Sequence, residues 1–129
     1  MNRSGFFFVF LLVIHLIDPA HSKALTIDAR LECPNPPSLW CYQMTMVERD
    51  MKYDDPMNKT VQKCTAESKV SKSIIGYVID DGWFNTDVEI VVIVSQNCTG
   101  NGFKTVESHE MEFDLDGSKT NDYFNMVFQ

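Results

Sequence analysis

The chain has 129 residues, with 18 Asp and Glu against 11 Lys and Arg, giving a formal net charge of −7 at pH 7. A surface of that sign repels nucleic-acid phosphates and anionic lipid headgroups, which argues against both as partners. Its 44% hydrophobic content and 12% aromatics are those of a folded domain and argue against a disordered chain.

The first residues, MNRSGFFFVFLLVIHLIDPAHSKA, read as a leader. Arg3 gives a positive start, and Phe6 to Ile17 form an apolar run of twelve residues, where a membrane span needs about 20. Asp18-Pro19 stops any helix, and Ala20-His21-Ser22 places small residues where a signal peptidase reads them. The sequence therefore predicts a cleaved signal peptide over 1–22. Cleavage falls before Lys23, with a second candidate before Leu25. The product is expected to be soluble, released to the extracellular space and not inserted in a membrane. About 107 residues remain, enough for one domain.

All four cysteines, Cys33, Cys41, Cys64 and Cys98, lie beyond that cut. An even number in a short secreted chain predicts two disulfides, and no C-x-x-C pair suggests zinc or thiol redox chemistry. Residues 23–38 read as a Pro-rich lead-in, made non-helical by Pro34, Pro36 and Pro37, and 39–129 as a single β domain.

Within that domain, Leu39–Glu48 alternates Trp40, Tyr42, Met44 and Met46 at the strand period. A helical stripe through Trp40, Met44, Val47 and Met51, capped by Ser38, leaves room for one short helix, but the strand reading is preferred. Asp54-Asp55-Pro56 reads as a turn and Asn58–Glu67 as the returning strand. Centring that hairpin near Tyr53 sets Cys41 opposite Cys64 and leaves Cys33 for Cys98. A helix would favour Cys33–Cys41 instead.

Ile74–Ile79 is a further strand, closed by Asp80-Asp81-Gly82. Val88–Cys98 is the clearest strand, with Val88, Ile90, Val92, Val94, Gln96 and Cys98 on one face and Asn97 on the other. Thr99-Gly100-Asn101-Gly102 is a turn, Phe103–Leu115 a strand, and Tyr123–Phe128 a short edge strand. The expected fold is mainly β: a small antiparallel β-sheet sandwich held by two disulfides.

Few residues carry chemistry. Two of the three histidines fall in the leader, leaving His109, expected as a partly buried sheet residue that shares parity with Met111 and Phe113. Asp80, Asp81, Asp87, Glu89, Glu110, Glu112 and Asp114 are numerous enough for paired-acid hydrolysis but read as a solvated face. DLDGSKTND, Asp114–Asp122, resembles a calcium loop in its oxygen-bearing residues yet lacks the EF-hand order. Asn58-Lys59-Thr60 and Asn97-Cys98-Thr99 are glycosylation sequons. Trp40 and Tyr42 are expected in the core, whereas Trp83 and Phe84, directly after a turn, are candidate partner contacts. Charge is uneven as well: residues 74–129 hold ten acids against Lys104 and Lys119.

These observations predict a secreted glycoprotein stabilised by disulfides and acting as a binding module, with neither catalysis nor a cofactor. The partner would be an extracellular protein or a small apolar ligand. An apolar-ligand carrier lined by Met44, Met46, Met111 and Met126 is the neighbouring alternative, and a small hydrolase using paired carboxylates the more distant one.

Overall fold

A computed structural model describes residues 22–49, 54–79 and 87–129. The leader, the Asp80-Asp81-Gly82 turn and the Trp83-Phe84 pair lie outside them, in whole or nearly so. Nine strands follow in order: β1 (Ser22–Glu32), β2 (Trp40–Arg49), β3 (Asp54–Lys59), β4 (Lys63–Thr65), β5 (Lys69–Ile79), β6 (Asp87–Gln96), β7 (Lys104–Glu107), β8 (Met111–Asp114) and β9 (Asn121–Val127). No helix occurs among the described residues, so the strand reading of Leu39–Glu48 holds there.

Two sheets result. One has three strands in the order β5-β1-β9; the other runs β3-β2-β6-β7, with β4 also paired to β2 and β8 to β6. All pairings are antiparallel except β1–β9, which is parallel. Residues 23–38 are thus more than a lead-in. Their first ten supply nearly all of β1, the middle strand of a sheet, because Leu25, Ile27, Ala29 and Leu31 alternate inward and are fully or almost fully buried. The prolines act only after Glu32, where the chain crosses to β2.

One buried cluster draws on both sheets. It joins the β1 residues to Trp40, Met44 and Met46 of β2, Val88, Ile90, Val92 and Val94 of β6, and Phe124 and Met126 of β9. Trp40 is central: its indole N–H donates to the Glu67 carbonyl at 2.8 Å, and its ring meets Phe128 edge-on at 5.8 Å. The sheets meet closely at Gly76, where a Cβ would lie 2.6 Å from Met46 Sδ and 3.0 Å from Met57 Cε. Any larger residue at Gly76 would have to displace buried sulfur.

The disulfides are Cys33–Cys98 and Cys41–Cys64, the pairing expected from centring the hairpin near Tyr53. Cys41 sits directly opposite Cys64 in the β2–β4 register. Cys33, just beyond β1, and Cys98, just beyond β6, tie the two sheets covalently across a sequence separation of 65. On chain entropy alone, closing loops of 65 and 23 residues contributes about 4 and about 3 kcal/mol.

Three local expectations change. Asp54-Asp55-Pro56 lies in β3, facing Arg49, Glu48 and Val47, and is strand instead of turn; Pro56 is tolerated because β3 is an edge strand. Phe103–Leu115 is two strands, since β6 passes from β7 at Ile93↔Glu107 to β8 at Ile90↔Met111 with one extra residue on the facing side. Ser108 fills this bulge by donating its N–H to the Val92 carbonyl and accepting the Val92 N–H at its Oγ, both at 2.9 Å. His109 is therefore exposed at the bulge, not half-buried in a continuous strand.

Candidate functional site

Side chains on a strand alternate between faces, so a strand buried on one side is expected to be polar on the other. The outer face of the three-stranded sheet departs from that rule. On β5, Ile75 and Tyr77 are 45% and 67% exposed; on β9, Tyr123 and Val127 are 63% and 52% exposed. Between them β1 presents Thr26, Asp28 and Arg30, with Thr26 opposite Ile75, Asp28 opposite Ser73 and Tyr123, and Arg30 opposite Ser71 and Asn125. The Ser73 hydroxyl donates to the Asp28 carboxylate and so fixes it on this face. Toward Glu32 the face dips into an open depression of about 420 Å³ lined by Arg30, Glu32, Lys69, Ser71, Asn125 and Val127. Two exposed apolar flanks thus border a polar, charged centre.

In the six-stranded sheet, the outward positions shared by β6 and β8 are acidic. Asp87 lies directly across from Asp114, and Glu89 from Glu112, all four exposed. Strand neighbours do bring these carboxylates together, as their number suggested, but on an open surface and in like-charged pairs. Among the described residues no group of three or more His, Cys, Asp or Glu is placed to hold a metal ion.

The Asp114–Asp122 loop holds a cation of its own. Lys23 Nζ donates to the carbonyls of Gly117, Asp114 and Leu115 at 2.6, 3.1 and 3.4 Å, closing the loop from β1. Asp114 Oδ1 accepts the Asp116 N–H at 2.9 Å, as in an Asx turn. At the far end, burial tends to raise the Asp122 carboxyl. That is outweighed by hydrogen bonds from Lys119 and the Tyr123 N–H and by the charges of Lys119 and His109, so its pKa falls below the ordinary value. Lys119 also lies 5.0 Å from the Phe113 ring centroid.

The two sequon asparagines differ in setting. Asn58, exposed on β3, donates from Nδ2 to the Ile75 carbonyl at 2.7 Å, at the corner where β3 meets β5. Asn97 is half-buried: its Oδ1 accepts the Cys41 N–H at 2.6 Å and its own N–H donates to the Cys41 carbonyl at 3.2 Å. The Asn97 side chain thus prolongs the β2–β6 ladder beyond Gln96 while Cys98 turns into the core. The bend that follows uses Gly100 and Gly102 at φ of +78° and +86°.

Trp40 and Tyr42 are buried, as expected of core residues, and burial raises the Tyr42 pKa. Ile75, Tyr77, Tyr123 and Val127 were not singled out by sequence reasoning. Their signal was present: Ile74–Ile79 and Tyr123–Phe128 are apolar at both parities, where a half-solvated strand should alternate.

No curated protein and no solved structure matches this chain. The model of one family does match, over residues 28–126, a span that reaches from β1 to β9 and includes all four cysteines. The chain belongs to that family, described as Caenorhabditis elegans protein of unknown function (DUF870).

Proposed function

We propose that this chain is a secreted, glycosylated binding module that engages an extracellular protein through the outer face of its three-stranded sheet, without catalysis or a cofactor. In this reading the two sheets pack face to face as a β-sandwich. Their shared core and the close approach at Gly76 support it. Two disulfides suit an oxidising environment, and no helix among the described residues is long and apolar enough to cross a membrane. A glycan at Asn58 would stand at the edge of the face, beside the backbone of Ile75, and one at Asn97 would lie on the other sheet, beside Cys41.

The observation that carries the proposal is the exposure of Ile75, Tyr77, Tyr123 and Val127 on one face. The carrier reading gains less support, because Met44, Met46 and Met111 are packed into the core instead of lining a space. The hydrolase reading is weakened by the open, like-charged arrangement of the carboxylates.

The test is affinity capture from extracellular fluid with the secreted protein, with Ile75→Lys/Tyr77→Lys, and with Glu89→Lys on the other face. The expected result is a partner retained by the native and Glu89→Lys proteins and lost by the double variant. Equal retention by all three would sink the assignment of the face.

A further inference from the structure

An exposed sheet edge invites pairing, and proteins blunt such edges with charge, proline or bulges. The six-stranded sheet does so throughout. Its outer strands carry Asp54, Asp55, Pro56 and Lys59 on β3, Lys63 on β4, Lys104 and Glu107 on β7, and Glu112 and Asp114 on β8. β9 is different. It pairs only with β1 among the described residues, and the outward side chains of its second half are Tyr123, Asn125 and Val127, none charged. Its one acid, Asp122, is neutralised by Lys119 at 2.8 Å.

The backbone of β9 is also poised for a partner. The Thr120 carbonyl accepts from Thr26 and the Phe128 N–H donates to Glu32, so even-numbered residues bond toward β1. By strand alternation the N–H and C=O groups of Tyr123, Asn125 and Val127 point to the open edge. Of these donors, the Tyr123 N–H is already taken by Asp122 Oδ1. Those of Asn125 and Val127, with all three carbonyls, remain directed outward.

The sequence around Asn125 reads alike in both directions for an antiparallel neighbour. A two-fold axis through Asn125 sets Asn125 against its own copy, Tyr123 against Val127, and Val127 against Tyr123. Aromatic and β-branched residues form favourable cross-strand pairs, and no like charges meet. The backbone parity agrees: the residues that would exchange hydrogen bonds are those whose polar groups face outward. A closed two-fold contact of this kind uses the same patch twice.

We infer that β9 pairs antiparallel with β9 of a second copy about an axis at Asn125, giving a two-fold dimer with one continuous six-stranded sheet. This goes beyond the contact-face reading, with which it shares Tyr123 and Val127; Ile75 and Tyr77 lie two strands from the axis, so Ile75→Lys/Tyr77→Lys tests the face and Asn125→Lys the dimer. Each copy carries a formal charge of −7, so long-range repulsion opposes the dimer at low salt and salt strengthens it.

Sedimentation velocity on the secreted protein tests this. The native chain should dimerise reversibly with concentration, more tightly at 0.15 M ionic strength than at 0.01 M. Asn125→Lys, which sets two ammonium groups against each other on an exposed position, should weaken association about fivefold to tenfold with its circular dichroism unchanged. Mixing Asn125→Lys with Asn125→Asp should restore dimers between the two variants. Hydrogen exchange gives a readout independent of folding yield, with the Asn125 and Val127 amides protected only in the dimer. A native chain that stays monomeric, an Asn125→Lys protein that dimerises like the native one, or mixed variants that do not associate would each overturn the inference. So would a monomer whose β9 edge instead takes up an extended peptide.

Discussion

The outer faces of the two sheets contrast. The three-stranded sheet turns Ile75, Tyr77, Tyr123 and Val127 to solvent around a small polar centre; the six-stranded sheet turns out Asp87, Glu89, Glu112 and Asp114 in opposed pairs. Both belong to strands whose inner faces share one core, so the inner demand for burial cannot explain the difference. Opposed carboxylates lose stability and gain hydration, a surface that resists contact. Exposed aromatic and β-branched residues give up hydration and gain a surface that favours it. One molecule carries both.

The largest effect expected from disturbing that arrangement comes from its hinge point. Gly76→Ala would drive a methyl group against Met46 and Met57 and push the two faces apart, costing about 1–3 kcal/mol in a urea titration. An unchanged midpoint would mean that the sheets are not seated as described. Relief of the acidic face is smaller and opposite in sign. Glu112→Thr removes the charge facing Glu89 and should stabilise by about 0.2–1 kcal/mol, whereas the same change at Tyr77 should leave stability within about 0.5 kcal/mol. A loss at Glu112→Thr would show that the acids are mutually supported, not merely tolerated.

The smallest effect is set by pH. The Asp122 pKa is depressed below its ordinary 3.8, so its contribution to stability is fully present above that value and is lost as pH falls through the lower folded value. Asp122→Asn should remove that part of the acid dependence, measured as the slope of the urea midpoint against pH. An identical slope in both proteins would deny Asp122 its Lys119 and Tyr123 contacts.

Much of the fold was legible where one strand's period carries the information. Val88 to Cys98 buries every even-numbered side chain, so Cys98 turns inward even though the strand ends at Gln96, while Val91 is buried as well and Asn97 only half-buried. Hairpin symmetry brought Cys41 opposite Cys64. What the sequence concealed was nonlocal. Nothing local to Tyr123–Phe128 announces a parallel neighbour some ninety residues earlier. β1 was hidden because it begins at the expected cleavage site and ends against prolines, which drew attention from Leu25, Ile27, Ala29 and Leu31. The bulge at Ser108 shifted parity by one residue, which is why His109 emerged at the surface. The exposed apolar face was missed because Trp83-Phe84 is a stronger aromatic signal than single residues spread over two strands that meet only through a third.

The Lys23 side chain gives the loop between β8 and β9 an unusual independence. Loops rich in Asp and Asn often depend on a dissolved ion to gather their carbonyls, and so follow the ionic composition of their surroundings. Here the positive charge is tethered to β1 by its own carbon chain, at 2.6–3.4 Å from three carbonyls. No chelator can withdraw a charge that is covalently part of the chain. The connection leading into β9 should therefore hold its shape in calcium-rich and calcium-poor fluids alike.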